Sequence, residues 1–306
     1  MRVVFLGNAQ WSVPALEALV ASSHEVVGVV SATPRPTGRG RLLLPNAVGR
    51  AARDLGLPLV ETDGDLVPVL EPFRPDVLAV VAYGRLLPQA VLDLPVVAPV
   101  NLHFSLLPAL RGASPVQSAI LAGAERTGVS TIRIVAALDA GPVYASRETA
   151  IDAEEDAGTL GARLADLGAA LLVETLDSLA SGDARATPQD EAAATSCGRL
   201  GPEDRPLRWE REDAAALARR VRALAPEPGA SARLGDVPLL VLRARAEPTP
   251  AEAESGTVLD VGAGGVLVAA RAGALRLLEV VPAGRRRMSA AEFARGARVA
   301  VGDRFA

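Results

Sequence analysis

Apolar residues near the start of the chain fall into three short groups with different spacing. Residues 3–7 form a continuous apolar run that ends in a glycine, residues 13–20 carry apolar positions at helical spacing, and residues 26–30 form a second apolar run. Short apolar runs on either side of a helical pattern are typical of a strand-helix-strand unit. The pattern therefore predicts a parallel β-sheet at the start of the chain.

Two further apolar runs predict the centre of that sheet. Residues 77–82 are continuously apolar, as in strands buried on both faces, and another run ends at Val100. In an open α/β sheet, ligands bind beyond the carboxyl ends of the parallel strands. We therefore expect Tyr83-Gly84 and residues 101–105 to lie on one rim. No G-x-G-x-x-G sequence follows the first strand, so a dinucleotide site is not indicated.

The pattern changes in the second half of the chain. A long helical pattern over residues 158–179 is followed by a polar, Ala-rich connector, residues 181–196. After one more short helix come four apolar or alternating runs at 237–244, 256–261, 265–270 and 274–281. Closely spaced short strands predict a small barrel. We therefore predict a Rossmann-like, mostly parallel α/β domain followed by a smaller β-barrel domain.

Composition excludes several classes of protein. The chain has 306 residues, of which 49% are hydrophobic, and it contains no run of about 20 apolar residues that would span a bilayer. Its first residues have the pattern of a strand rather than of a signal peptide. We therefore expect a cytoplasmic protein without a membrane partner.

The residue inventory excludes lysine chemistry and favours a single histidine. All 32 basic residues are Arg, and the chain has only His24, His103 and one cysteine, Cys197. A lysine Schiff base, a disulfide and a His or Cys metal cluster are thereby excluded, and no metal is expected. His24 lies at a helix-to-strand junction and is expected to be structural, which leaves His103 for proton chemistry.

Charge is divided unevenly along the chain. Residues 1–200 carry 15 Arg against 22 acidic residues, whereas residues 201–306 carry 17 Arg against 14. A polyanionic partner would therefore meet the second part of the chain. An Arg-bearing segment, residues 33–41, is also rich in Pro and Gly and is expected to lack regular structure. It is either a solvated loop or a basic loop that contacts phosphate.

The strongest candidate for chemistry is the pair Asn101 and His103. If the run ending at Val100 continues as a strand, these two side chains point to the same face. An amide donor beside an imidazole suits the stabilisation of an oxyanion while a proton moves. The alternative is a turn in which both side chains satisfy local backbone groups. Asp139, in a Gly/Pro-rich turn, is by itself typical of turn chemistry.

Taken together, the Asn101-Leu102-His103 and Leu138-Asp139-Ala140-Gly141 motifs resemble the folate-dependent formyltransferases. The Ser105-to-Pro108 and Arg111-Gly112 motifs, the Tyr83-to-Pro88 segment and the trailing second domain extend the resemblance to essentially the whole chain. It implies a catalytic domain over residues 1–182, a linker over 183–203 and an OB-like, tRNA-binding domain over 204–306. It also implies 10-formyltetrahydrofolate as the co-substrate.

The resemblance implies roles for individual residues. Asn101, His103 and Asp139 would be the catalytic set, with Asp139 orienting His103. The segments after two strands would bind folate through Ser105, Leu106, Leu107, Pro108, Tyr83, Gly84 and Leu86. The basic loop would contact tRNA through Arg35, Arg39 and Arg41.

The chain departs from the family pattern mainly on the acceptor side. The departures are at Asn8, Ala9 and Gln10 after the first strand, at Pro34 in the basic loop, and at Glu227, where a Trp is common.

Three functions remain open at this point. The first is formylation of initiator methionyl-tRNA, and the second is formylation of a small amine such as an amino sugar or a metabolite. The third is folate or RNA binding without catalysis. The complete catalytic set argues against the third, and the basic loop with the second domain favours the first. A monomer is expected.

Overall fold

The computed structural model describes residues 1–37, 42–248 and 253–306. The chain packs as two units, of which the first comprises Met1–Pro115, Arg126–Ala150 and Gly161–Gly198, and the second comprises Val116–Glu125, Ile151–Leu160 and Arg199–Ala306. The predicted linker segment up to residue 198 packs with the first unit. The division at residues 182 and 203 stays a prediction.

Regular elements cover most of both units. The helices of the described residues are α1 Val13–Val20, α2 Ala47–Asp54, α3 Val67–Leu70, α4 Gln89–Leu92, α5 Pro115–Leu121, α6 Ala157–Ser181, α7 Ala214–Leu224 and α8 Ala290–Ala297. The strands are β1 Arg2–Gly7, β2 Glu25–Ser31, β3 Arg35–Thr37, β4 Leu42–Leu44, β5 Leu59–Glu61, β6 Val77–Val81, β7 Ala98–His103, β8 Arg111–Gly112, β9 Arg126–Arg133, β10 Val143–Ala150, β11 Ser196–Cys197, β12 Ala230–Leu234, β13 Val237–Glu247, β14 Val258–Gly262, β15 Gly265–Ala269, β16 Ala274–Pro282 and β17 Met288–Ser289. None of these helices has the length and apolar character needed to cross a bilayer.

The first unit is built on a seven-stranded sheet in the order β10-β9-β7-β6-β1-β2-β5. The five strands from β7 to β5 are parallel, and β9 and β10 are antiparallel to their neighbours. Every residue of β6 is buried, which agrees with its continuous apolar run. The predicted mostly parallel α/β domain is therefore confirmed. Because β1, β2, β6 and β7 run in the same direction, their carboxyl ends lie along one edge of the sheet.

The segment after β2 is more regular than predicted. Residues 35–37 and 42–44 pair as a short antiparallel ribbon, β3 with β4, so the expectation of irregular structure over 33–41 was wrong for residues 35–37. The error came from treating the prolines as strand breakers, although Pro36 lies on a two-stranded ribbon, where a proline without an N–H is tolerated. Residues 38–41 lie outside the described residues.

The second unit contains the predicted small β domain. Its strands follow the antiparallel order β12-β13-β16-β15-β14, with β17 added to β16. Leu234, at the end of β12, pairs with Phe305, and Thr257, just before β14, pairs with Arg304. The last residues therefore join the two edge strands, which gives the sheet a barrel-like closure. Buried side chains of α7, including Leu217 and Val221, belong to its apolar core.

Candidate active site

Strand β7 brings the amide and the imidazole to the carboxyl edge of the parallel sheet. Asn101 Nδ2 donates a hydrogen bond to Asp139 Oδ1 at 3.4 Å, and His103 Nδ1 lies 3.7 Å from Asp139 Oδ2. Both side chains thus reach the same carboxylate, as expected for positions i and i+2 of one strand. The intervening Leu102 is buried. The three residues predicted as a catalytic set are adjacent in the structure, although their catalytic roles stay a prediction.

Asp139 is held in an uncommon backbone conformation. Its φ of 49° lies in the left-handed region, which Asp adopts more readily than most residues. Oδ2 also accepts a hydrogen bond of 2.9 Å from the backbone N–H of Gly112, itself at φ 125°. A Cβ at that glycine would collide with the Cys197 carbonyl oxygen. Only glycine therefore lets the backbone approach closely enough to present this N–H to the carboxylate.

The contacts of His103 determine which ring nitrogen can exchange a proton. Nε2 lies 2.9 Å from the Leu110 carbonyl oxygen, and because a carbonyl only accepts, Nε2 must carry a hydrogen. Any proton that the ring gains or loses is therefore the one on Nδ1, which faces Asp139. The imidazole is 5% exposed, and Nδ1 lies 3.7 Å from the Asp139 carboxylate.

Asn101 has the chemistry of an oxyanion donor. Among the hydrogen bonds of the described residues, its amide donates only the long bond to Asp139. An amide N–H next to an imidazolium N–H can stabilise negative charge that develops on a carbonyl oxygen. The carboxylate between them can receive a proton. The cluster thus has the groups needed for acyl transfer to an amine.

The segment after β6 lies beside this cluster on the same edge of the sheet. Ala82 has φ 43° and Gly84 has φ 79°, so the chain turns sharply through two left-handed residues. Between them, Tyr83 is 3% exposed, and burial raises the pKa of its phenol. Arg85 donates to the Tyr83 hydroxyl at 3.4 Å, whereas Leu86 is 72% exposed. An exposed apolar side chain on this rim is available for contact with a flat ring.

Asn8, one of the departures from the family pattern, connects three loops of this edge. It follows β1, its Oδ1 accepts from the Ala32 N–H after β2 at 2.7 Å, and its Nδ2 donates to the Tyr83 carbonyl after β6. Asn46 Nδ2 donates to the same Oδ1 at 3.1 Å. The asparagine therefore has a structural role that the sequence comparison did not reveal.

The predicted folate segment after β7 is only partly accessible. Ser105 is 1% exposed, and its hydroxyl donates to the Ala109 carbonyl at 2.6 Å. Leu107 is also buried, and its N–H donates to Ser130 Oγ at 3.2 Å. Leu106 and Pro108 are partly exposed. Any contact of this segment with a ligand would therefore be made by Leu106 and Pro108 or by backbone groups, since the Ser105 hydroxyl is used within the turn.

The predicted tRNA-binding arginines lie on the ribbon of β3 and β4. Arg35 is exposed on β3, while Arg39 and Arg41 lie outside the described residues. Three successive leucines of β4, Leu42 to Leu44, are between 49% and 67% exposed. The ribbon thus presents both charge and apolar surface.

Sequence reasoning gave no role to a second group of polar residues. Gln189, in the segment predicted as a connector, donates from Nε2 to the carbonyls of Asp139 and Gly141, each at 2.7 Å. Its Oε1 accepts from Arg111, which also pairs with Glu191. No spacing rule links a glutamine to an aspartate 50 positions away, so only the fold reveals the contact.

His24 and Cys197 are both buried, with partners of their own outside the predicted catalytic set. His24 is 7% exposed, with Nε2 at 3.2 Å from Asp177 Oδ1, and burial together with the nearby N-terminal amine lowers its pKa. Cys197 is a buried free thiol that donates to the Leu110 carbonyl at 3.4 Å.

Comparison with known families assigns the chain to a class. Residues 1–176 match the formyl transferase family, and residues 199–298 match the formyl transferase C-terminal domain. The chain belongs to the formyl transferase family, which uses folate. The resemblance inferred from the sequence motifs is thereby confirmed.

Individual relatives cover the full chain. It is 44% identical to the methionyl-tRNA formyltransferase of Nocardioides sp. and 45% identical to that of Thermus thermophilus, over 100% of this chain and 98% and 99% of those proteins. Among solved structures, HypX from Aquifex aeolicus in complex with tetrahydrofolic acid superimposes with a TM-score of 0.67 at 21% identity. That match covers 96% of this chain and 47% of HypX, and it shows a shared fold.

Proposed function

We propose that the protein transfers a formyl group from 10-formyltetrahydrofolate to the α-amino group of methionine on initiator methionyl-tRNA. The observation that carries the chemistry is the convergence of Asn101, His103 and Asp139 at the carboxyl edge of the sheet. The acceptor is supported by relatives named methionyl-tRNA formyltransferase that are 44% and 45% identical over the full chain.

The residues present fit a folate that supplies a formyl carbon on N10. Asn101 Nδ2 and His103 Nδ1 both lie at the Asp139 carboxylate, so a carbonyl placed against them meets two N–H donors. The exposed Leu86 and the buried Tyr83 lie on the adjacent segment, which we propose contacts the pteridine together with Gly84 and residues 105–108. The folate acts as a substrate in this reaction, so no residue has to form a covalent bond with it.

The transfer forms one C–N bond and breaks another. The amine nitrogen bonds to the formyl carbon, the bond from that carbon to N10 breaks, the amine loses a proton, and N10 gains one. Asn101 and protonated His103 stabilise the negative charge that develops on the formyl oxygen. Asp139 orients His103 and relays the amine proton toward the departing nitrogen, and the imidazole takes up its Nδ1 proton, with its positive charge, in the course of this transfer.

The acceptor side of the proposal rests on charge and on the second domain. Arg35 is exposed on the ribbon of β3 and β4, and we propose that it contacts the tRNA backbone together with Arg39 and Arg41. Residues 204–306 would add contacts through their excess of Arg. A small amine would need neither feature.

The direct test combines the purified protein with 10-formyltetrahydrofolate and charged initiator tRNA. We expect formylmethionine on the tRNA and an equal amount of free tetrahydrofolate. A parallel panel of amino sugars and other small amines should release none. Release of tetrahydrofolate with a small amine but not with the tRNA would show that the acceptor is a small amine and not methionyl-tRNA.

Salt dependence gives a second check on the acceptor. Because an acceptor held through several phosphates binds more weakly as salt rises, KM for the tRNA should increase steeply with ionic strength. KM for the folate should change much less. Parallel salt dependence of the two constants would contradict phosphate contacts.

A further inference from the structure

Gln189 stands out because its side chain makes four hydrogen bonds, two to the turn that carries Asp139 and two to Arg111. Nε2 donates to the Asp139 and Gly141 carbonyls at 2.7 Å each, and Oε1 accepts from Arg111 Nε at 3.0 Å and from an Arg111 terminal nitrogen at 2.8 Å. Both hydrogens and both lone pairs of the amide are therefore used. A glutamine in a solvent-exposed connector does not require a protein partner for every hydrogen and lone pair of its amide.

The orientation of this amide is determined by its partners. Carbonyl oxygens accept only, and a guanidinium donates only. A flipped amide would place its oxygen against two carbonyls and its NH₂ against Arg111, which would lose all four bonds. Arg111 is in turn held by Glu191 at 2.7 Å, so the amide cannot rotate without breaking the guanidinium contacts as well.

The segment that contains Arg111 also holds the Asp139 side chain. Arg111 is followed by Gly112, whose N–H donates to Asp139 Oδ2. Residues 111–112 form β8, which pairs with β11, and β11 follows Gln189 along the chain. The side chain and the backbone of Asp139 are thus both fixed by the β8 and Gln189 region. These contacts lie within the first packing unit.

We propose that Gln189 is a positioning residue for catalysis, which holds the Asp139 turn so that the carboxylate faces His103 Nδ1. This inference rests on the proposed function for its kinetic consequences. The left-handed backbone at Asp139 is intrinsically unfavourable, and Gln189 holds the two carbonyls that follow it along the chain, those of Asp139 and Gly141. Without these two hydrogen bonds the turn relaxes, and the distance from the carboxylate to the imidazole increases.

Two substitutions separate the contacts of Gln189. Gln189→Met keeps the length of the side chain and removes all four bonds, whereas Gln189→Glu keeps the acceptor for Arg111 and removes the donation to the two carbonyls. Since small displacements of reacting groups lower rates by up to about a hundredfold, we expect kcat to fall roughly ten- to a hundredfold in both variants. KM for folate and for the acceptor should change less than about twofold.

A double-substitution cycle distinguishes positioning from a separate structural effect. If Gln189 acts through Asp139, then Gln189→Met combined with Asp139→Asn should be no slower than Asp139→Asn alone. Thermal unfolding of each variant identifies loss of folding. The matched control is Gln89→Met, at an exposed glutamine of α4 that donates to Asp93, the residue just after that helix, and it should leave kcat unchanged.

A spectroscopic readout tests the inference independently of the proposed function. The chain has only two histidines, so the ring signals of His103 can be assigned in the NMR spectrum with a His24→Gln variant. In Gln189→Met the His103 ring signals should shift while those of His24 remain. Unshifted His103 signals, or rate losses that add in the double variant, would overturn the positioning role. A wild-type protein that formylates no acceptor would instead refute the proposed function and leave the NMR test intact.

Discussion

The substitution Asp139→Asn isolates the charge of the proposed catalytic carboxylate. Asparagine has nearly the same shape, and like aspartate it tolerates the left-handed φ of 49° found here. Its amide oxygen can still accept the hydrogen bond from Gly112 N–H. The variant should therefore keep the turn and the fold. It loses the negative charge beside His103 and, because its NH₂ then faces Asn101 Nδ2, also the long hydrogen bond from Asn101.

The expected loss of rate can be estimated from the separation of the two groups. Asp139 Oδ2 lies 3.7 Å from His103 Nδ1, and the two side chains are only 12% and 6% exposed, so water screens the pair weakly. Unit charges about 4 Å apart interact by about 4 kcal/mol at an effective dielectric constant of about 20. If the imidazolium forms in the transition state, that energy corresponds to roughly a thousandfold lower kcat.

The assay is steady-state formylation of initiator methionyl-tRNA, with kcat and both KM values measured separately. We expect the loss in kcat, because the carboxylate interacts with charge that develops only during the reaction. Asp183→Asn, at an exposed position of the same unit, serves as the control and should be fully active. A folded Asp139→Asn protein with kcat within tenfold of the wild type would refute the charge argument.

Three further predictions test other parts of the structure. Asn101→Ala should lower kcat on the order of a hundredfold, as expected for one oxyanion donor, and an unchanged kcat in the same assay would exclude that role. Asn8→Ala leaves the Ala32 N–H and the Tyr83 carbonyl without this partner. Urea unfolding should therefore show a free energy of unfolding lower by about 1–3 kcal/mol. An unchanged free energy of unfolding would mean that the bonds are dispensable. Because the pKa of His24 is lowered in the folded state, the unfolded chain binds more protons as the pH falls below 6.5. The free energy of unfolding should therefore decrease as the pH falls below 6.5, and His24→Gln should remove that decrease relative to wild type.

Much of the first domain could be predicted because its signals are local. The helical spacing over residues 13–20 corresponds to α1, and the apolar run at 77–82 corresponds to β6. The same-face placement of Asn101 and His103 followed from the period of a strand, and both side chains reach Asp139. Such inferences need only neighbouring residues, which is why they succeeded.

The contacts that sequence reasoning missed join distant segments. Asn8 meets residues from loops 24 and 75 positions away, and Gln189 meets Asp139 across 50 positions. Each of these side chains has ordinary loop chemistry when its neighbours alone are considered. Their roles depend on the parallel sheet bringing loop ends to one edge, so they become visible only once the fold is known.

The backbone conformations at the site explain why so many hydrogen bonds surround it. Among the described non-glycine residues, positive φ occurs at five positions, and three of them, Ala82, Leu110 and Asp139, lie in the segments that form the site. Each such residue costs on the order of 1–3 kcal/mol unless neighbouring contacts compensate. The Leu110 carbonyl accepts from His103 while its N–H donates to Thr195, and Asp139 is held by Gly112 and Gln189. The bonds that offset the strain are the same bonds that orient the imidazole and the carboxylate, as the proposed proton transfer requires.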